Sequence, residues 1–518
     1  MFRPRVSASC SPWILCLALT AGACSKIVTV QRTTVPASAR VTLDQRSPWL
    51  KAHLRSGGVY ILAQWRSDSV ANAIIGTGEH QDANRAVIDS GLFRVPLDSV
   101  SLFETNVVQP SGAHEALTVV SGLTLVVAAV CLANPKACFG SCPTFYVSDG
   151  SGTPLMAEGF SASVAPGLEA TDLDALWLAA PAKRDLTVRM TNEAFETHVV
   201  RWVDLIAVPR APGVRVVADD HGVFFAATAI TAPRACTAPE GDCLAAVRRY
   251  DGVMHSSSAD SNDLAVRESI DLEFAAPPPG GLGLIISSRQ TLLSTYLFYQ
   301  ALAWMGSNAT PWLGRLSRNG ASPAAGGIGA LLGRLDVLVQ DSMGVWIRAG
   351  AVGETGPLAT DTKVVPLPRA LRRGATVRVR LRGTKGLWRV EAVALATLTP
   401  AAPAVRLKPV NVTKDGHADP VARAALLDSA RVLTDFRGDR YDLHYRLPGK
   451  PADYELFLEA RGYYLEWMRQ EWLAEENPLK AAQLFLNPAV ALKALAPAYK
   501  RQEAGMDSLF WGSRYVRP

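Results

Sequence analysis

The sequence predicts a mainly β protein with some α, multidomain, built from antiparallel β-domains of sandwich or jelly-roll type and ending in a helical C-terminal tail. Three observations carry this. Alternating apolar and polar runs recur along most of the chain and are parted by Gly, Asp and Asn, the pattern of half-buried strands joined by turns. Stretches with helical apolar spacing are few and are concentrated around 290–306 and after 453. Finally, 518 residues with 48% hydrophobic and 19% charged composition supply core material for several folded domains. The expected divisions are 1–23, 24–46, 47–134, 135–276, 277–333, 334–410 and 411–518.

Residues 1–23 read as an export signal: Arg3 and Arg5 make a basic start, 12–21 is nearly all apolar, and Ala21, Gly22 and Ala23 are small. The apolar core is about half the roughly twenty residues needed to span a bilayer. Ala21-Gly22-Ala23-Cys24 resembles the lipobox of bacterial lipoproteins, with Ala21 where that family prefers leucine. The resemblance implies a diacylglycerol anchor, with chains such as palmitate, on Cys24, and Ser25 implies an outer-membrane destination. Two or more acyl chains hold a protein stably on a bilayer. The alternative is ordinary signal cleavage with Cys24 left free or disulfide-bonded. Residues 24–46 would then be a tether, and the expected location is the bacterial cell envelope, outside the cytoplasm.

Between 47 and 106 some five strand-like runs with Gly and Asp punctuation fit a small closed barrel. The uncharged stretch 116–133 follows and reads as an apolar helix, buried in protein or in contact with a membrane. This pairing resembles the SH3-like barrel-plus-helix arrangement of bacterial envelope lipoproteins, a resemblance that implies no activity. Glu79, His80, Gln81, Asp82 and Asn84 read as a solvated hairpin tip.

Beyond it, 143–276 reads as an antiparallel β-domain, with Asp-Gly and Asp-Asp-His-Gly turns between apolar runs. Cys138 with Cys142, and Cys236 with Cys243, flank Gly-bearing turns that bring α-carbons within bridging range, so in an oxidising compartment each pair is expected to form a disulfide. Metal binding or free thiols are the alternatives, and Cys131 reads as an inert buried thiol. Asp172 and Asp174 with Glu169 suggest either a calcium cluster or surface carboxylates.

The apolar segment 290–306 reads as a buried helix and 320–333 as a Gly/Ala-rich seam. Five or more strands over 335–395 predict a sandwich-like domain. Its Trp388 is a candidate platform for sugar stacking if exposed and a core residue if it points inward. Residues 453–478 carry glutamates and aromatics at helical spacing, weakened by Gly462, and open the expected helical region, in which Trp467 is either core or a partner face.

Chemistry is harder to find. No GxSxG, HExxH, Walker or GxGxxG pattern occurs. The densest titratable loop holds Asp251, His255, Asp260 and Asp263, a candidate ligand or cation site set against a plain polar loop. No catalytic residue, metal site or cofactor is assigned. Net charge is +6, about +4 once the two signal arginines are removed, and no basic run with interleaved aromatics suggests nucleic acid. Two functions remain as expectations. One is a noncatalytic, lipid-anchored scaffold or binding module for envelope proteins or glycans. The other is a glycan-active hydrolase whose carboxylates converge only on folding.

Overall fold

The computed structural model describes residues 28–37, 43–82, 87–110, 142–275, 280–306, 309, 331–368, 376–467 and 475–512. Cys24, Cys131, Cys138, the apolar stretch 116–133 and most of the 320–333 seam lie outside them. The fold is mainly β with several antiparallel sheets, and the chain divides into two compact units, Met1–Gln81 with Val87–Ala128, and Asp82–Ala86 with Ala129–Pro518.

The first unit is a six-stranded antiparallel sheet of β1 (Val28–Pro36), β2 (Trp49–Leu54), β3 (Val59–Asp68), β4 (Ala73–Gln81), β5 (Val87–Pro96) and β6 (Val100–Pro110), in the order β1-β6-β2-β3-β4-β5. Leu50, Ala52, Leu62, Ile74, Val95 and Phe103 fill its core face. β1 and β5 are its edges, so the described ladder is an open sheet where a small closed barrel was expected. The expected tether is corrected as well, since β1 pairs along its whole length with β6, from Val28 opposite Pro110 to Pro36 opposite Leu102. Its Val-Thr-Val and Thr-Thr-Val runs are β-branched and fit a pleated surface.

The second unit opens with β7 (Thr144–Val147), β8 (Leu155–Glu158), β9 (Ala170–Ala175), β10 (Asp185–Thr191) and β11 (Glu196–Pro209). An insert follows: β12 (Arg215–Ala218), β13 (Phe224–Thr231), β14 (Ala235–Ala238), β15 (Gly241–Asp242), α1 (Leu244–Val247), β16 (Arg267–Ala275), β17 (Gly281–Gln290), α2 (Leu293–Met305), β18 (Leu335–Gln340), β19 (Trp346–Val352), β20 (Asp361–Pro366), β21 (Thr376–Thr384) and β22 (Trp388–Pro400). The chain then returns through β23 (Val405–Leu407), β24 (Asn411–Lys414), β25 (His417–Ala418), α3 (Pro420–Leu427), β26 (Leu433–Phe436), β27 (Arg440–Arg446) and β28 (Tyr454–Glu466), and closes with α4 (Pro478–Leu486) and α5 (Pro488–Gly512).

The two flanking segments build one sandwich. Its sheets run β25-β24-β27-β10-β7-β8 and β23-β11-β28-β9, and Val188, Met190, Leu443 and Tyr445 from one meet Val203, Leu205, Leu456 and Leu458 from the other in a single core. The insert holds a closed barrel, β12-β13-β22-β17-β20, and a sheet ordered β15-β14-β16-β21-β18-β19. The divisions at 276, 333 and 410 therefore do not separate domains, because strands from every segment cross them to find partners.

The helical reading of 453–478 is corrected by β28, which pairs with β11 over thirteen residues. The inner face of β28 is buried in the sandwich and part of its outer face is covered, so Leu456, Phe457, Leu458, Tyr463, Tyr464 and Leu465 imitate a broad helical stripe. Gly462 is the signal that favours a strand: a Cβ there would lie 2.3 Å from the Val199 carbonyl oxygen. Trp467, just beyond β28, is buried and donates its indole N–H to Thr197 Oγ1 at 2.8 Å, so it belongs to the core. α2 is buried as its composition predicts, packing Leu297 and Leu302 in one cluster with Leu484 of α4 and Leu492 and Tyr499 of α5. No described helix is long and apolar enough to cross a membrane.

Candidate functional site

Cys236 and Cys243 form a disulfide, with Sγ atoms 1.96 Å and Cα atoms 5.1 Å apart, fastening β14 to the turn before α1. Cys142 is a buried free thiol whose expected partner Cys138 lies outside the described residues. Burial, and next to it the charge of Glu158, push its pKa up.

The 251–263 loop does not gather into a cation site. Asp251 accepts from the Val253 N–H, Asp260 from the N–H groups of Asn262 and Asp263, and Asp263 from the Ala265 N–H, so each carboxylate closes its own turn. His255 bridges by backbone to Val390, and burial lowers its pKa. Among the described residues no group of three His, Cys, Asp or Glu side chains could hold a metal ion. Trp388 is 6% exposed and part of the core, so it offers no platform to a sugar.

The carboxylates converge elsewhere. A cleft of about 630 Å³ lies between the outer face of the sandwich sheet β23-β11-β28-β9 and the insert. Register fixes its floor, because residues directly opposite on antiparallel strands share a face. Ala175, Phe457 and Ile206 form one row, Leu173, Glu459 and Asp204 the next, and Thr171, Arg461 and Trp202 a third. The first row is covered by the insert, with Phe457 against Phe224 at 4.9 Å between ring centroids. The second borders the cleft. The far wall brings Asp219, Asp220 and His221 from the β12–β13 turn, Glu354, and Lys363 of β20.

β9 is an edge strand, and side chains of β20 satisfy its open backbone. Asp361 Oδ1 accepts from the Ala175 N–H at 2.9 Å, and Lys363 Nζ donates to the Leu173 carbonyl. Lys363 also pairs with Asp361 Oδ2 at 2.7 Å. This places Asp172, Asp174 and Asp361 about one ammonium. Burial raises the Asp172 carboxyl above the ordinary range, opposed by Lys363 and assisted by Asp361. It raises Asp174 as well, assisted by Asp172 and Asp361.

Glu459 behaves in the opposite way. Burial works against its charge, but hydrogen bonds and charge from Arg406, with help from Trp202 and Lys408, hold its pKa below the usual range. Arg406 spans Glu459 Oε2 and Asp204 Oδ2, both at 2.8 Å. Glu354 accepts from Ser161 Oγ at 3.1 Å. Surrounding protein raises its carboxyl, an effect tempered by the side of Glu354 that stays open to solvent. Its loop is held from behind by buried Glu158, which accepts from the Leu358 N–H at 2.7 Å. Asp220 is engaged by Arg334 and by the Gly353 N–H.

Of these, the sequence by itself marks Asp172, as part of either a calcium cluster or a set of surface carboxylates. The legible signal is the Asp-Leu-Asp alternation of β9, which puts two carboxylates on one side of the strand, opposite Leu458 and Ala460 and on the other face from Leu173. Nothing local marks Lys363 as their counter-ion.

No protein-family model matches the chain, and no curated protein matches its sequence. Among solved structures, the GH31 alpha-xylosidase from Xanthomonas citri aligns over 83% of this chain and 38% of its own, with 9% identity and a TM-score of 0.15. This chain thus spans well under half the length of that enzyme, and likeness at this level carries no argument.

Proposed function

We propose that this chain is a lipid-anchored envelope protein that binds a polyhydroxylated ligand, a segment of glycan, in the acidic cleft, and does so as a noncatalytic binding module. The observation that carries this is that one cleft gathers carboxyl groups, Asp172, Asp219, Asp220, Glu354 and Glu459, with the cations Lys363 and Arg406. A hydroxyl both donates and accepts, so a sugar can donate to the carboxylates and accept from the cations. Leu173 and Phe224, both half-buried, supply apolar surface for C–H faces. The cleft volume is in the range that takes a small ligand, and five acidic side chains around it disfavour phosphate-rich partners. The anchor is proposed at Cys24 and is checked by the mass of the N-terminal peptide.

The binding test is calorimetric titration of the full chain carrying Cys24→Ser with gluco-, xylo- and N-acetylglucosamine oligomers of one to four units. We expect saturable binding that weakens at least tenfold in Glu459→Gln while the melting temperature holds. Absence of binding by every probe would overturn the reading.

A hydrolase is the second reading, favoured by the fact that two carboxyls, Asp172 and Glu354, are raised in the same cleft, as a general acid requires. Reducing-end release from the same oligomers, abolished by Asp172→Asn and Glu354→Gln, would replace the noncatalytic assignment.

A further inference from the structure

We infer that Trp202 is a second subsite of the cleft, a stacking platform for the next ring of a bound oligosaccharide; this rests on the glycan-binding reading above. The sheet sets the spacing. Rows on one face of a strand recur every two residues, about 6.8 Å, so Trp202 stands one row beyond Asp204 and Glu459, on the side away from the covered row of Ile206. That step suits the advance from one sugar ring to the next.

Three features hold the indole there. The ladder between β11 and β28 changes register between Val200 and Trp202, a bulge that re-aims the side chain. The indole N–H donates to Glu459 Oε1 at 3.1 Å, and Arg406 fixes the same carboxylate. Lys408 and Arg461 flank the ring at 5.8 and 5.5 Å from its centroid, each tied to a carboxylate, Lys408 to Asp204 at 3.0 Å and Arg461 to Glu169 at 2.7 Å. By comparison, Arg215 lies on Trp177 at 3.6 Å. The Trp202 ring is therefore oriented by its neighbours, with both cations over it farther from its centroid than Arg215 is from that of Trp177, and it remains half-buried. A rigid aromatic surface beside a polar cleft matches the C–H face of a sugar ring, and fixing it beforehand lowers the ordering cost of binding. Of the two readings of Trp388, platform or core, its burial selects core.

The test extends the same titration series. Trp202→Ala is expected to lower the affinity for the tri- and tetrasaccharide about 3- to 10-fold more than that for the monosaccharide, which reads only the lost hydrogen bond to Glu459. Trp202→Phe is expected to recover most of the loss. Matching melting temperatures show that the variants fold. If wild-type affinity does not grow with chain length, or if Trp202→Ala binds long and short oligomers as wild type does, the subsite is overturned while the cleft reading stands. If no oligomer of any length binds wild type, both fall together.

Discussion

His198 shows how a single buried ring can hold together carboxylates from two paired strands of one sheet. Its Nε2 lies 2.7 Å from Glu196 Oε1 and its Nδ1 3.2 Å from Asp435 Oδ2, with all three residues buried. Burial pulls the imidazolium's pKa down, but the hydrogen bonds and charges of Asp435 and Glu196 raise it to about 10. A raised histidine adds stability that is fully present below its unfolded value near 6.5 and is lost as pH rises through about 10. His198→Ala leaves two carboxylates facing each other without the cation, and should cost about 3 to 5 kcal/mol in urea unfolding at pH 7. Glu158 carries the opposite consequence for neutral solutions. Burial raises it to about 7, against hydrogen bonds from Leu358, Cys142 and Ala359. The folded state therefore favours the protonated acid, and its contribution is present below about 4.5 and is lost as pH climbs to about 7. Over that window wild type should lose on the order of 3 kcal/mol that Glu158→Gln does not. Parallel unfolding curves across the range would refute the assignment.

At the scale of the element, β28 is the strand on which the sandwich depends, since it lies between β11 and β9 and most of its residues are buried. Gly462→Val would drive a Cβ against the Val199 carbonyl and the Phe160 ring. The expected penalty is about 1 to 3 kcal/mol, read as a lowered urea midpoint with an unchanged slope. The disulfide acts on a smaller scale. Cys236 and Cys243 are seven positions apart, and closing so short a loop stabilises by about 2 to 3 kcal/mol in the chain-entropy account. Reduction should lower the melting temperature without dissolving the sheet, because β14 still pairs with β16.

At the scale of the molecule, the second unit is a sandwich assembled from both ends of a long insert. β10 needs β27, β11 needs β28, and β16 needs β21, each pair far apart in sequence. A fragment of 135–276, which looks like a domain by its turns and cysteines, should therefore show no cooperative unfolding in circular dichroism, whereas the full chain should. The same topology creates the cleft, because the insert leaves the sandwich after β11, returns at β23, and packs across part of the outer face of β9, β28 and β11. Binding sites favour such seams between packed bodies.

What the sequence determined by itself is local: β-rich composition, most strands and turns from Leu335 onward to Leu395, the bridge between Cys236 and Cys243, and the buried apolar helix α2. These depend on side-chain alternation, turn chemistry and nearby partners, all of which a linear reading contains. The tertiary structure alone decided that 454–466 is a strand, that Trp388 faces inward, and that Asp172, Glu354, Lys363 and Glu459 line one cleft. The reason is that strand pairing and burial link residues hundreds of positions apart, and neither a strand buried at most of its positions nor a carboxylate awaiting a distant lysine looks different from its alternatives until the partner arrives.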